Sequence, residues 1–488
     1  MNLFSKIKSL ARQSVVYGFG TIITKGMGFL LIPLYTHYLS PKDYGILEML
    51  DLTGNILSFF VAMGITNSIL RFYGYYNTNE DKEEVINTAL IFAILSGGCL
   101  VGLLCLFSDY FSRLLFDNND YSFFFVLVFI NIYLSQVHTH CKTTYRVKNQ
   151  AVSFTVISIV TTIMALSLNI LFIAYYGLGI KGLYYASLIT FSITTFLLLI
   201  RQFYSTPKIS FSFLKLVEML KYGVYFIPTL LIAFIINFSD RYFLRYFTDL
   251  ETVGLYSLGY KLGMIIFFLM GQSFQQAWGA YAFQYENDEE APILYGRIFT
   301  IFLLISTYIA FSMALLSKEI VVVIADPRYL DAYKVIPLIA FAAVCYASDN
   351  ITKIGILITK KTVILPLINL SIAALNILLN ILLIPKYGMI GAAVATAFSF
   401  LLLPIISLTI SNRFYKIDWE YIRILKLIFI SLMLYASVPL IERLDWHYAL
   451  PVKILIIIII FPLSLYISQF ITKDDISFIK SNFKLSKA

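Results

Sequence analysis

Charge is what this 488-residue chain has least of. Asp, Glu, Lys and Arg together make up 13% of it, against 59% apolar residues and a mean hydropathy of +0.81. So little polar surface cannot cover a water-soluble globule. Cysteine is scarce as well: Cys99, Cys105, Cys141 and Cys345 lie scattered without ligand-like spacing and offer neither a disulfide framework nor a zinc site. No GxxxxGK[ST] loop, HExxH or nucleophile elbow occurs, so nothing argues for nucleotide hydrolysis, zinc peptidase or ester chemistry. No cofactor and no metal are expected. The longest polar connections, 71–84, 281–297 and 317–334, are too short to hold an independent core.

What the chain does have is long apolar runs. A membrane-crossing helix needs roughly 20 mostly apolar residues, and fourteen segments qualify as spans 1 to 14: 13–36, 44–70, 85–107, 121–141, 151–175, 180–201, 222–239, 253–280, 298–316, 335–357, 362–384, 388–411, 421–441 and 450–471. Two stretches repeat. Residues 168–177, LNILFIAYYG, return at 379–388 as LNILLIPKYG, with Asn169/Asn380, Tyr176/Tyr387 and Gly177/Gly388 among the identities. At a similar offset, YLSPKDYGIL (38–47) corresponds to FTDLETVGLY (247–256). The expected fold class is all-α: about 14 transmembrane helices in two pseudo-twofold six-helix lobes plus a C-terminal helix pair. The expected divisions are a terminus at 1–12, an N-lobe at 13–201, a linker at 202–221 and a C-lobe at 222–411. A loop at 412–420, helices 13–14 at 421–471 and a tail at 472–488 complete the chain. A duplicated polytopic architecture is that of transporters, with the site expected between the halves.

Lys and Arg set orientation, because cytoplasmic loops retain them in excess. Lys6, Lys8 and Arg12 precede span 1, Lys142, Arg146 and Lys148 follow span 4, and Arg413, Lys416, Arg423 and Lys426 surround the entry to span 13. Both termini are therefore expected in the cytoplasm. The net charge of +9 reads as topology and contact with anionic lipid, with no nucleic-acid partner. The first apolar run is too long for a signal-peptide core and is expected to stay as an anchor.

Certain charges do not fit loops. Lys25 lies about twelve residues into span 1, roughly 18 Å from either end at 1.5 Å per residue, beyond comfortable snorkelling. Gly18, Thr21, Lys25 and Gly28 share one helical face, as do Glu48, Asp51, Asn55 and Ser58 on span 2. In the second half, Lys261 falls within one position of the repeat equivalent of Asp51, and Tyr346, Asp349 and Lys353 line one face of span 10. Asp349 and Lys353 stand at ion-pair spacing. Lys25, Lys261 and Lys353 are expected to line a wet, positively charged cavity, with Tyr256 and Tyr260 beside Lys261. Glu48 and Asp51 are candidates for ion coupling, and Asp349 for charge balance. The bland readings are snorkelling for Lys353 and solvation at a span end for Glu48 and Asp51. Asp240, Arg241 and Arg245 read as an interfacial cluster, and the histidines have no metal partner in view.

The blocks KGMGFLLIPLYTHYLSPKDYGILEML (25–50), GITNSILRFY (64–73), DRYFLRYFTDLETVGLYSLGYKL (240–262), DPRYLDAYKVIPLIAF (326–341) and YGMIGAAVATAFSF (387–400) resemble those of bacterial oligosaccharide flippases. These are the O-antigen and capsule exporters of the multidrug/oligosaccharidyl-lipid/polysaccharide (MOP) superfamily. The resemblance implies two six-helix lobes, alternating access and an undecaprenyl-diphosphate-linked oligosaccharide as cargo in a bacterial cytoplasmic membrane. With that cargo, Lys25, Lys261 and Lys353 are expected to attract its phosphate or pyrophosphate and Tyr256 and Tyr260 to contact its sugar. The resemblance also implies a polysaccharide polymerase and glycosyltransferases as partners. Some relatives carry arginines in the cavity where this chain offers lysines, which bind phosphate without the bidentate fork. The alternatives are a peptidoglycan-precursor flippase, a cation-coupled drug antiporter and, in another class, a membrane polysaccharide polymerase or ligase. The last needs a sizeable external loop with positioned acid and base groups, and the chain has none.

Overall fold

The structure, a computed structural model, describes residues 23–24, 26–205 and 210–470. Eleven helices among them are long and apolar enough to cross a membrane. They fall into two compact units, Met1–Leu255 and Tyr256–Ala488.

The first unit begins with helical residues 26–38 (α1) and continues through α2 (Pro41–Ala62), α3 (Ile65–Tyr75), α4 (Asn79–Leu106), α5 (Ser108–Phe116) and α6 (Ser122–Val147). It then runs through α7 (Ala151–Asn169), α8 (Gly179–Ser205), α9 (Phe213–Val224) and α10 (Phe226–Phe247). Local chemistry sets these boundaries. Ser40 and Asp43 form a reciprocal capping box at the start of α2, with Pro41 in its first turn. The expected single run 44–70 is broken at Met63 and Gly64, whose φ of 43° and 68° end α2. The reason is close packing: a methyl group at Gly64 would lie 2.1 Å from the Gly223 carbonyl oxygen. Only a glycine lets α3 approach α9 in this way. Within the unit, α6 is central and packs against α2, α4 and α8.

The second unit takes up α11 (Leu250–Gly263) from Tyr256 onward, then a π-helical segment Phe267–Gln272 and α12 (Ser273–Gln284). The expected span 253–280 is thus interrupted. There follow α13 (Ala291–Leu315), α14 (Ser317–Ile324), α15 (Ile336–Thr352) and α16 (Ile354–Ile358). The chain closes with α17 (Ile364–Phe414), α18 (Tyr421–Tyr435), α19 (Val438–Ile441), α20 (Trp446–Leu455) and α21 (Phe461–Ile467). Here α15 holds the place of α6, packing on α13 and α17. At 51 residues α17 is too long for one crossing, about 77 Å at 1.5 Å per residue. Gly388, with φ 54° and ψ −131°, breaks it in two, where the spans 362–384 and 388–411 were expected to meet.

The duplication is visible in these joints. Gly177 and Gly388 both take positive φ, 64° and 54°. Just beyond each lies a glycine pressed on the preceding helix. A methyl at Gly182 would stand 3.0 Å from Phe172 Cβ, and one at Gly391 2.4 Å from the Leu383 carbonyl oxygen. Phe172 and Leu383 occupy equivalent places in the two repeats. Small residues at such seams let helices pack by van der Waals contact where lipid supplies no hydrophobic drive.

Candidate functional site

Sequence placed Asp240 and Arg241 at an interface, but both are buried in the first unit, 2% and 1% exposed. Arg241 Nη1 donates to Asp240 Oδ1 at 2.7 Å and to the Asn237 carbonyl at 2.8 Å. Its Nε lies 4.0 Å from Glu48 Oε1 on α2, and its guanidinium carbon 5.4 Å from the Phe238 ring centre. Glu48 is itself buried, 5% exposed. Such a cluster is costly to assemble, because each ion forfeits hydration worth several kcal/mol. These three groups, when ionised, carry two negative charges against one positive. Arg245 donates to Asp117 Oδ2 at 2.6 Å and to the Leu115 carbonyl at 2.8 Å.

One turn along α2, Asp51 accepts a 2.8 Å hydrogen bond from the Tyr184 hydroxyl of α8. With Asn55 and Ser58 it lines a cavity of about 330 Å³, closed by Asn131, Ser135 and Gln136 of α6 and by Tyr184, Ser187 and Phe191 of α8. A second cavity of about 370 Å³ shares Ser135 and Phe191. Its other walls are His138, Thr139 and Lys142 of α6, Thr155, Ser158, Thr161 and Thr162 of α7, and Thr24. The first unit therefore contains a polar cleft whose α2 wall, Asp51, Asn55 and Ser58, stands out in the sequence as one polar face, while its α6, α7 and α8 walls do not. For α7 a signal was present as a Ser/Thr stripe at three- and four-residue spacing along 155–162. His138 and His140 are buried beside Thr161 and Thr66. Among the described residues no group of three His, Cys, Asp or Glu side chains converges as metal ligands would.

In the second unit, Lys353 Nζ pairs with Asp349 Oδ2 at 2.9 Å, and Asp349 Oδ1 accepts from Ser407 at 2.6 Å. Tyr346, on the same helix, stacks on Phe400 with ring centres 4.6 Å apart. Lys261 is half-buried on α11. Tyr256 and Tyr260, expected to meet sugar, are covered, 0% and 4% exposed. The cause lies on their own helix. Gly259 and Gly263 bring α11 so close to the chain at 332–339 that a methyl at Gly263 would meet Ile339 Cβ at 2.8 Å. Lys25 lies outside the described residues.

Two further charged clamps went unforeseen. Lys215 of α9, 7% exposed, reaches Asp81 Oδ1 at 2.7 Å and Glu84 Oε2 at 2.6 Å at the start of α4. Lys453 of α20, 1% exposed, pairs with Glu319 of α14 at 2.7 Å. The second clamp ties the C-terminal helices to the rest of their unit.

A polytopic α-helical membrane protein, with charge buried inside its spans, is the class this fold and site define. Residues 10–279, more than half of the chain, match the family described as "Polysaccharide biosynthesis protein". The chain belongs to that family. Among solved structures it is similar to "Lipid II flippase MurJ, inward closed conformation", with a TM-score of 0.73 and 15% identity, covering 93% of this chain and 98% of that one. It is similar also to an inward-facing multidrug resistance MATE family transporter of the MOP superfamily. There the TM-score is 0.66 and the identity 12%, over 82% of this chain and 97% of that one. At such identities the likeness establishes the fold alone, which this chain shares with both structures. A curated relative, the uncharacterized membrane protein MJ1068 of Methanocaldococcus jannaschii, is 21% identical over 428 residues, 79% of this chain and 81% of the relative.

Proposed function

We propose that this protein is a flippase that carries an undecaprenyl-diphosphate-linked oligosaccharide across the cytoplasmic membrane by alternating access, for assembly of a surface polysaccharide. One observation carries the reading: a member of a polysaccharide biosynthesis family has the transporter fold and keeps charged side chains within its membrane spans. Intramembrane charge is expensive and is retained where it meets cargo or ions. In this reading Lys25, Lys261 and Lys353 attract the diphosphate, while Asp349 balances Lys353 until cargo arrives. Glu48 and Asp51 are the ion-coupling carboxylates. Both termini face the cytoplasm, and the six-helix lobes at 13–201 and 222–411 rock about the cargo with 202–221 as their link. The sugar contact assigned to Tyr256 and Tyr260 is not carried forward, because both rings are covered. A polymerase and glycosyltransferases would act on either side of the step.

The fold likeness to a lipid II flippase favours a second reading, in which the cargo is a peptidoglycan precursor. Depletion of the protein followed by analysis of isoprenoid-linked intermediates separates the two. Accumulation of the surface-glycan intermediate on the cytoplasmic side is expected. Accumulation of the peptidoglycan precursor would transfer the protein to the second reading. An unchanged lipid-linked pool with new drug sensitivity would refute both.

A further inference from the structure

The hydrogen-bonding groups of the polar cleft in the first unit point to what it binds. Six of its hydroxyl protons are committed to the protein's own backbone. Ser58 donates to the Asn55 carbonyl at 2.7 Å, Ser135 to Ile132 at 2.9 Å and Thr139 to Ser135 at 2.8 Å. On the facing helix Ser158 donates to Phe154 at 2.9 Å, while Thr161 and Thr162 donate to Ile157 and Ser158, each at 2.8 Å. Each of these oxygens keeps lone pairs but no proton to offer. The Tyr184 proton goes to Asp51. Asn131 donates its amide to the Leu127 and Tyr184 carbonyls at 2.9 and 3.3 Å, while its Oδ1 is buried with no hydrogen-bond partner. A buried acceptor left unmet costs about 1–3 kcal/mol. The wall is therefore rich in acceptors, one of them unmet, while the amides of Asn55 and Gln136, the Ser187 hydroxyl and the Lys142 ammonium add donors.

Phosphate and carboxylate bring acceptors only and would leave Asn131 Oδ1 unmet. An organic ammonium brings donors only and would leave the wall's own donors unmet, whereas the hydroxyls of a sugar both donate and accept, matching the mixed wall. Size separates a sugar from a metal cation. A bare or singly hydrated cation needs on the order of one or two water volumes, about 30 Å³ each, whereas the cavity beside Asp51 measures about 330 Å³ and its neighbour about 370 Å³. These are the dimensions of small-molecule sites. Phe191, shared by both cavities, and Phe154 in the second add apolar ring faces suited to the C–H face of a pyranose.

We propose that this cleft is a saccharide subsite, in which one or two neutral sugar residues of the cargo enter the first unit and donate their hydroxyl protons to Asn131, Asp51 and the Ser/Thr oxygens. The inference rests on the saccharide-carrying reading above and deepens it, separating sugar recognition within the unit from diphosphate recognition by the lysines. Ser135, common to both cavities, is the place to test it. In nanodiscs, saturation-transfer NMR with free N-acetylglucosamine and glucose should show contact with the wild-type protein. Ser135→Leu should obstruct the cleft and Asn131→Leu remove its unmet acceptor, each weakening sugar binding tenfold or more. Lys261→Ala should bind free sugar as the wild type does and fail only in cargo transfer. Gel filtration and melting temperature report whether each variant folds, and Gln136→Leu, at the cleft wall, provides a further variant if either does not.

Sugar contact that persists undiminished in the folded cleft variants would overturn the subsite. So would its absence from wild-type protein that still binds lipid-linked cargo. Sodium-dependent stabilisation lost in Asp51→Asn, with no sugar contact, would make the cleft a cation site and overturn the proposal equally. Sugar contact in a protein that moves no lipid-linked cargo would instead leave the subsite standing and refute the flippase reading.

Discussion

Replacing Arg241 by Met tests whether the buried charges of the first unit hold its helices together. The guanidinium sits 2.7 Å from Asp240 and 4.0 Å from Glu48, with exposures of 1%, 2% and 5% for the three residues. At an effective permittivity of about 20, the longer pair alone is worth roughly 4 kcal/mol of Coulomb attraction. Much of this is offset by desolvation, but removing one member restores no hydration to the others. Breaking a buried pair in this way typically costs about 3–5 kcal/mol. Arg241→Met should therefore lower the melting temperature in detergent markedly, and Arg241→Met with Asp240→Asn should recover a large part of the loss. The assay is fluorescence-detected gel filtration after heating, with the single Asp240→Asn variant closing the double-mutant cycle. A single variant as stable as the wild type, or a double variant no better than the single, would refute the argument.

Other predictions follow from single contacts. Gly254→Val should destabilise the first unit, by about 1–3 kcal/mol or more, because a methyl there would lie 1.9 Å from the Pro41 carbonyl oxygen; detergent melting curves measure it, and Gly45→Val, the mirror contact against Leu250, should behave alike. Gly388→Ala should cost about 1–3 kcal/mol for a backbone conformation that glycine alone takes easily, seen in the same melts. Lys215→Gln should loosen α9 from α4 and raise hydrogen exchange across 213–224 while leaving the C-terminal helices protected. Lys25→Ala, Lys261→Ala and Lys353→Ala should each abolish glycan export at normal membrane abundance, and normal export from the triple variant would remove the lysines from the proposed mechanism.

Those features that depend on one segment's own residues were legible in the chain. Apolar runs predict spans because length and hydropathy act locally, and the joint between 362–384 and 388–411 was readable even though the helix runs continuously through Pro385 to a break at Gly388. What escaped depends on partners distant in sequence. Asp240 and Arg241 look like interfacial charge on their own helix, and only Glu48 approaching from α2 makes them a buried cluster. Tyr256 and Tyr260 look available beside Lys261 until Gly259 and Gly263 are seen to draw the 332–339 segment against α11. Beyond its α2 wall, the cleft was missed for a similar reason. Serines and threonines in an apolar helix read as neutral filling, and become a surface only when α2, α6, α7 and α8 turn theirs toward one space.

The two repeats have kept their joints and changed their chemistry. Gly177 and Gly388, identical in the two repeats, both take a positive φ that other residues adopt at a cost, and Gly182 and Gly391, though not at equivalent positions, press on equivalent residues. The charges obey no such constraint. Where α2 carries Asp51 bonded to Tyr184, α11 carries Lys261 within one position of the equivalent place. Where α6 offers Asn131 to an open cleft, α15 is packed through most of its length and holds Asp349 against Lys353 and Ser407. A protein with equivalent lobes would meet a symmetric ligand equally well from both. A lipid-linked glycan is not symmetric: one part is an acceptor-only diphosphate and another a donor-rich sugar. Under the proposed function, the cleft of the first unit would take the sugars, while Lys261 and Lys353 in the second half, with Lys25 in the first, would take the diphosphate.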